Sequence, residues 1–159
     1  CMAYLCDVCR QVSELVRKYG ISSPYGNRVN PITGQMEFHA GIDIRVPLGV
    51  AIRFSNRIPN LFYTDLGGYA LELRDSGYTF RFFHLLDRPD DYTIRTGNSG
   101  RWTTGPHLHF EVLKDGRHID PALFLRDRCG DCKGPVLASL PIVLILGIVL
   151  YVMLVADSG

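Results

Sequence analysis

The sequence predicts a mainly β protein: a compact antiparallel β-sheet domain with a short N-terminal helix and one C-terminal transmembrane helix. Three observations predict it. Short runs of strand composition alternate with turn residues from position 21 onward, apolar residues recur at helical spacing only near the N-terminus, and residues 135–156 carry no charge and a single polar side chain, Ser139. At 159 residues the chain has room for one ordinary core. Seventeen Lys plus Arg against sixteen Asp plus Glu leave a formal net charge of +1. Nothing in that balance points to a nucleic acid, and no nucleic-acid partner is expected.

Residues 1–20 form the first segment. Val8, Val12, Leu15, Val16 and Tyr19 share one face at helical spacing, and Gly20 follows as a stop, so residues 7–19 read as an amphipathic helix. The body covers residues 21–127. Ser23-Pro24, Asn30-Pro31, Thr33-Gly34, Leu66-Gly67-Gly68, Asp75-Ser76-Gly77 and Asp115-Gly116 punctuate it. Between them, residues 50–54, 69–74, 78–85 and 108–113 have strand composition, with the clearest hairpins at Asp75-Ser76-Gly77 and Asp115-Gly116. Residues 128–134 are a juxtamembrane segment. The apolar stretch 135–156 follows, and as a helix it would run about 33 Å, enough for a hydrocarbon core of about 30 Å. Pro141 and Gly147 are tolerable there. A lipid membrane is thus an expected partner. Arg126, Arg128 and Lys133 precede the stretch and only Asp157 follows it, a bias that places the N-terminal domain on the cytoplasmic side.

The chemistry-bearing residues are histidines. His39 stands with Asp43 in HAGID, His84 in FRFFHLL, and His107 with His109 in GPHLHFEV. Side chains alternate along a strand, so His107 and His109 point to one side while Leu108 and Phe110 point to the other. Imidazoles and a carboxylate suit zinc, and three protein ligands with one open position define a catalytic site. His39, Asp43 and one histidine of the H-x-H pair supply such a set.

These residues carry a resemblance. Ser23-Pro24-Tyr25-Gly26-Asn27-Arg28, Pro31-Ile32-Thr33-Gly34, the run FHAGIDIRVPLGVAI from Phe38 to Ile52, FFHL around His84, and TGPHLHFEV from Thr104 to Val112 resemble the lysostaphin/LytM-type zinc metallopeptidases over about residues 21–125. The resemblance implies a peptidase domain that hydrolyses peptide cross-links of bacterial peptidoglycan, with peptidoglycan peptide stems as substrate. It assigns His39, Asp43 and His109 as ligands of a catalytic Zn2+, and His84 and His107 as further active-site histidines. His107 is the expected general base and His84 the group that hydrogen-bonds the oxyanion or orients the water, with exchanged roles left open. Asn27 and Arg28 are expected substrate contacts. Asp120-Pro121 with Leu125 resembles the closing segment, and His118 matches no catalytic position. The chain departs from the pattern over residues 53–68, RFSNRIPNLFYTDLGG, and over the short connection after His84.

Cys6-Asp-Val-Cys9 and Cys129-Gly-Asp-Cys132 are both C-x-x-C and flank the body. They read as a second, structural zinc site, as disulfides, or as free thiols. Thiolate zinc would suit a reducing cytosol and disulfides an oxidising envelope. The expected protein is therefore a membrane-anchored endopeptidase, located in a bacterial cell envelope or in the virion membrane of a bacteriophage, where it would serve entry or lysis. The alternative is a non-catalytic wall-binding, regulatory or virion structural protein that keeps the fold, with virion or envelope proteins as partners.

Overall fold

The computed structural model describes residues 4–87 and 89–132. The anchor expected over residues 135–156 and the end of the juxtamembrane segment lie outside the described residues. Among those described, no helix is long and apolar enough to cross a membrane.

The N-terminal helix, α1 (Leu5–Tyr19), buries Leu5, Val8, Cys9, Val12 and Leu15. That is the stripe expected from the spacing, extended by one turn at its start. Gly20, at φ 75°, donates its amide to the Val16 carbonyl and ends the helix. The helix start is held from a distance: Asp75 Oδ2 accepts the amides of Tyr4 at 2.8 Å and Leu5 at 2.9 Å. Buried Asp7 accepts from the Ser55 amide at 2.6 Å and hydroxyl at 3.0 Å, and pairs with Arg10 at 2.7 Å. Its charge is therefore hydrogen-bonded rather than stranded in the core.

Eleven strands follow in chain order. They are β1 (Ile21–Ser23), β2 (Gly26–Val29), β3 (Met36–His39), β4 (Ile42–Ile44), β5 (Ala51–Arg53), β6 (Phe62–Thr64), β7 (Gly68–Asp75), β8 (Tyr78–Leu85), β9 (Thr93–Arg95), β10 (Leu108–Lys114) and β11 (Arg117–Ile119). One antiparallel sheet has the order β1-β4-β10-β8-β7-β6, with β11 also paired to β10. Two small ribbons, β2-β3 and β5-β9, complete the set. Both expected hairpins form. In the β7-β8 turn Ser76 and Gly77 have φ of 54° and 76°, and in the β10-β11 turn Asp115 and Gly116 have 49° and 80°. Two successive positive φ values give the twist that matches the flanking strands.

One face of the large sheet is the core. Leu71, Leu73, Phe80, Phe82, Leu108, Phe110 and Val112 are buried there with Ile42, Ile44 and the apolar stripe of α1. A second helix, α2 (Pro121–Arg128), also covers it, with Phe124 5.6 Å from Phe80 between ring centroids. This helix was absent from the sequence expectation. Its signals are present in Asp120, whose side chain accepts from the Ala122 amide at 2.8 Å, and in Pro121 at the first helical position.

The cysteine expectation is corrected toward one of its alternatives. Cys6 is bonded to Cys132 and Cys9 to Cys129, with Cα atoms 5.0 and 5.1 Å apart. A four-thiolate zinc site is excluded, because each sulfur is bonded to another sulfur and offers no thiolate. Cys6 and Cys9 lie three residues apart on one face of α1, and Cys129 to Cys132 form a single 3-10 turn that matches that spacing. The two bonds clip the first helix to the last described turn, Cys129–Cys132.

Partial burial works to raise the Asp75 pKa, and the amide hydrogen bonds from Leu5 and Tyr4 outweigh it, holding the carboxyl below its ordinary value. Asp75→Ala should cost about 1 kcal/mol of stability at pH 7, the worth of a typical helix cap. A depressed folded-state pKa contributes stability that is complete above the unfolded value of about 4 and is lost as pH falls through the folded value. Urea unfolding of parent and variant should therefore show a gap at pH 7 that closes toward pH 2. A gap of constant size would refute the capping role.

Candidate metal and active site

The face of the sheet opposite the core gathers the titratable groups. β10 pairs with β4 so that His109 lies opposite Asp43, and with β8 so that His109 lies opposite Phe83. His39 ends β3, and Gly41 sits between it and β4. A Cβ at Gly41 would collide with the Phe110 carbonyl and lie 3.0 Å from the His109 ring, so glycine lets the HAGID segment approach β10 closely.

His39, Asp43 and His109 each turn one ligand atom inward, all within 4.8 Å of one another. Asp43 Oδ1 lies 2.8 Å from His109 Nδ1 and 3.3 Å from His39 Nε2, and the two imidazole nitrogens are 3.0 Å apart. These are the three ligands that the resemblance implied. The outer nitrogens are tied as metal-ligating histidines require. His39 Nδ1 donates to the Pro24 carbonyl at 2.7 Å, leaving Nε2 free to ligate. His109 Nε2 donates to Glu111 Oε1 at 3.2 Å, leaving Nδ1. The donor set, two imidazoles and one carboxylate with a carboxylate behind one imidazole, fits a catalytic zinc ion.

Glu111 is a site residue that sequence reasoning missed. Its position two residues beyond His109 places it on the same face of β10, a signal that strand alternation carries. Its other oxygen meets His118 Nε2 at 3.1 Å and Arg81 Nη1 at 3.6 Å. His118 thereby gains a role in supporting Glu111. Burial works to raise the Glu111 pKa, and the neighbouring His109 and His118 outweigh it and hold the carboxyl low.

His84 and His107 lie beside this triad, their rings 4.5 Å apart between centroids and His84 6.3 Å from His109. His84 has φ 59° and sits at a register shift between β7 and β8. Strict alternation would send it into the core with Phe80 and Phe82, and the irregularity turns it to the site while Leu85 takes the core position. Its Nδ1 donates to the Ser99 carbonyl at 2.8 Å, and His107 Nδ1 donates to the Gly105 carbonyl at 2.8 Å. Both imidazoles thus present Nε2 as a lone pair. His107 Nε2 is 3.8 Å from Asp43 Oδ1. Burial pushes the His84 pKa down to about 4, so its ring is neutral near pH 7.

Burial works to raise the Asp43 pKa, but the hydrogen bonds from His109 and His39 outweigh it and hold the carboxyl well below the usual range. For His109, burial works to lower the pKa, and Asp43 and Glu111 outweigh it and raise it to about 9. Arg28 lies in the same groove, its Nη2 3.5 Å from Glu37 and 3.8 Å from Asp43 Oδ2. Asn27 is exposed on β2, its backbone paired with Phe38, and is not among the residues lining the groove.

No protein-family model matches the chain. It is 34% identical over 119 residues to an uncharacterized metalloprotease of Buchnera aphidicola, covering 67% of this chain and 31% of that protein. It is also 34% identical over 106 residues to the peptidoglycan DD-endopeptidase ShyC of Vibrio cholerae, covering 59% of this chain and 24% of that protein. The chain thus spans about a quarter to a third of the length of these curated relatives. Among solved structures, the catalytic domain of the antimicrobial peptidase lysostaphin from Staphylococcus simulans superposes with a TM-score of 0.57 at 23% identity, over 71% of this chain and 96% of that one. The likeness establishes that the described domain has the lysostaphin catalytic-domain fold.

Glu111→Gln keeps the size of the side chain but weakens its hold on His109, and should reduce zinc affinity by roughly 10- to 100-fold. Competition against a calibrated chelator measures it, and an unchanged affinity would refute the supporting role. A proton and a metal ion compete for His109 Nδ1, so zinc affinity should rise with pH between 6 and 8, by up to about tenfold per unit below the raised pKa. Zinc titrations at three pH values in that range check the slope, and a flat profile would contradict it.

Proposed function

We propose that this protein is a zinc metalloendopeptidase that hydrolyses peptide cross-links of bacterial peptidoglycan. The observation that carries the reading is the convergence of His39, Asp43 and His109 with two further histidines, each fixed through Nδ1 to a backbone carbonyl. The similarity to metalloproteases and to a peptidoglycan DD-endopeptidase supports the substrate class. A complete ligand set favours hydrolysis over a non-catalytic wall-binding or structural role.

Zinc held by His39 Nε2, Asp43 Oδ1 and His109 Nδ1 would supply Lewis acidity and lower the pKa of a bound water. The chain's own groups account for the proton. His107 Nε2 accepts it from the attacking water, helped by the Asp43 carboxylate 3.8 Å away, and returns it to the leaving amine nitrogen. His84 stays neutral and its Nε2 accepts a hydrogen bond from that water. Of the two roles expected for His84, orienting the water is therefore the one its protonation favours. Asp43 and His107 line a groove of about 820 Å³, a volume in the range of ligand-binding clefts.

The reading includes a membrane tether over residues 135–156 and a location outside the reducing cytosol, in the cell envelope or in the virion membrane of a bacteriophage. The two disulfides support the oxidising side, against the charge bias at the anchor.

Purified sacculi treated with the detergent-solubilised, zinc-loaded chain should lose turbidity. His39→Ala and added chelator should abolish the loss, and His107→Ala should slow it by roughly 10²- to 10⁴-fold. Mass analysis of the released peptides names the bond. No release from sacculi of several cross-link chemistries would overturn the endopeptidase reading.

A further inference from the structure

We infer that Arg45 is a specificity-determining residue that pairs with a free carboxylate of the substrate, so that the groove selects cross-links carrying such a carboxylate beside the scissile amide. The inference rests on the endopeptidase reading above and adds the substrate class. Arg45 stands immediately after β4, two residues beyond Asp43. Ile42 and Ile44 are fully buried in the core, so Asp43 and Arg45 share the opposite, groove-lining side. Two residues of strand span about 6.6 Å, which puts the base of Arg45 within one peptide unit or two of the ligand Asp43.

Two arginines line this groove, and they differ in what balances them. Arg28 is held by Glu37 at 3.5 Å and Asp43 at 3.8 Å, and Glu37 in turn accepts from Asn30 at 2.6 Å. Arg45 has no ion pair and no hydrogen bond to a side chain or backbone group among the described residues. An exposed cation without a protein partner among the described residues, next to the reacting position, favours an anion on the ligand. A guanidinium offers a planar fork of donors that matches a carboxylate in two parallel hydrogen bonds. Trp102 and Ile32, 47% and 46% exposed, line the same groove and provide apolar surface for alkyl side chains of the peptide. A stem peptide with alkyl side chains and a free carboxylate fits this lining, whereas a bridge of uncharged glycines uses neither feature.

The test uses two synthetic cross-linked peptide dimers, identical except that the carboxylate next to the scissile amide is free in one and amidated in the other. The full, zinc-loaded chain should cleave the free acid with kcat/KM higher by roughly tenfold, the range of a charge-assisted hydrogen bond discounted for solvent exposure. Arg45→Gln should bring that ratio to below about twofold, and Arg45→Lys should restore part of it. Calorimetric Kd values for the acid and amide forms of the cleaved product should show the same ratio independently of turnover. Equal cleavage of both dimers by the parent, or an undiminished preference in Arg45→Gln, overturns the role of Arg45 while leaving the endopeptidase reading intact. Failure of the parent to cleave either dimer or any sacculus overturns that reading, and this inference with it.

Discussion

The register of β10 between β4 and β8 is the constraint on which the rest depends. Leu108, Phe110 and Val112 are fully buried on one side of this strand, and His107, His109 and Glu111 stand on the other. Because side chains alternate with a period of two, a slip of one residue would drive two imidazoles and a carboxylate into an apolar core and turn three large hydrophobes out. The core thus fixes the site. Once Phe110 is seated against Phe82, with ring centroids 5.1 Å apart, His109 can face only Asp43 across the strand pair.

Around that strand the site side chains come from neighbouring strands, and the groups that orient them come mostly from loops. Four imidazoles are each oriented by an acceptor on their outer nitrogen: the carbonyls of Pro24, Ser99 and Gly105 and the Glu111 carboxylate. Three of the four acceptors are backbone atoms, so loop conformation rather than side-chain identity sets the tautomers. This arrangement keeps the ring nitrogens aimed before any ligand arrives, so the site has no need to reorganise on binding. It also makes the site sensitive to loop geometry around residues 99 and 105, although neither position contributes a reacting group.

The disulfide pair has a different logic. The two bonds link helix α1 to the turn that ends the described chain, and they close nearly the same long loop, with separations of 126 and 120 residues. In the chain-entropy account the first bond removes most of the unfolded-state freedom and the second adds little to stability. Its contribution is instead geometric, since two bonds hold the helix and the turn in one orientation where a single bond would act as a swivel.

Much of this was legible in the linear chain. The helix stripe of Val8, Val12 and Leu15, both two-residue hairpin turns and the strand of residues 78–85 follow from local periodicity and turn chemistry, which act over a few residues. The candidate metal cluster was reachable because His39 and Asp43 stand in one short motif and His109 in an H-x-H pair. Other features required the folded structure. Neither the choice between disulfides and a thiolate site nor the turning of His84 away from the core by a register shift is written in neighbouring residues. Each depends on which distant segments come together. The amino-acid sequence by itself determined the elements and the chemical inventory, because propensity, alternation and turn formation are local. Only the tertiary structure decided which inventory members meet and which arginine in the groove is left without a partner, because pairing energies depend on through-space distance.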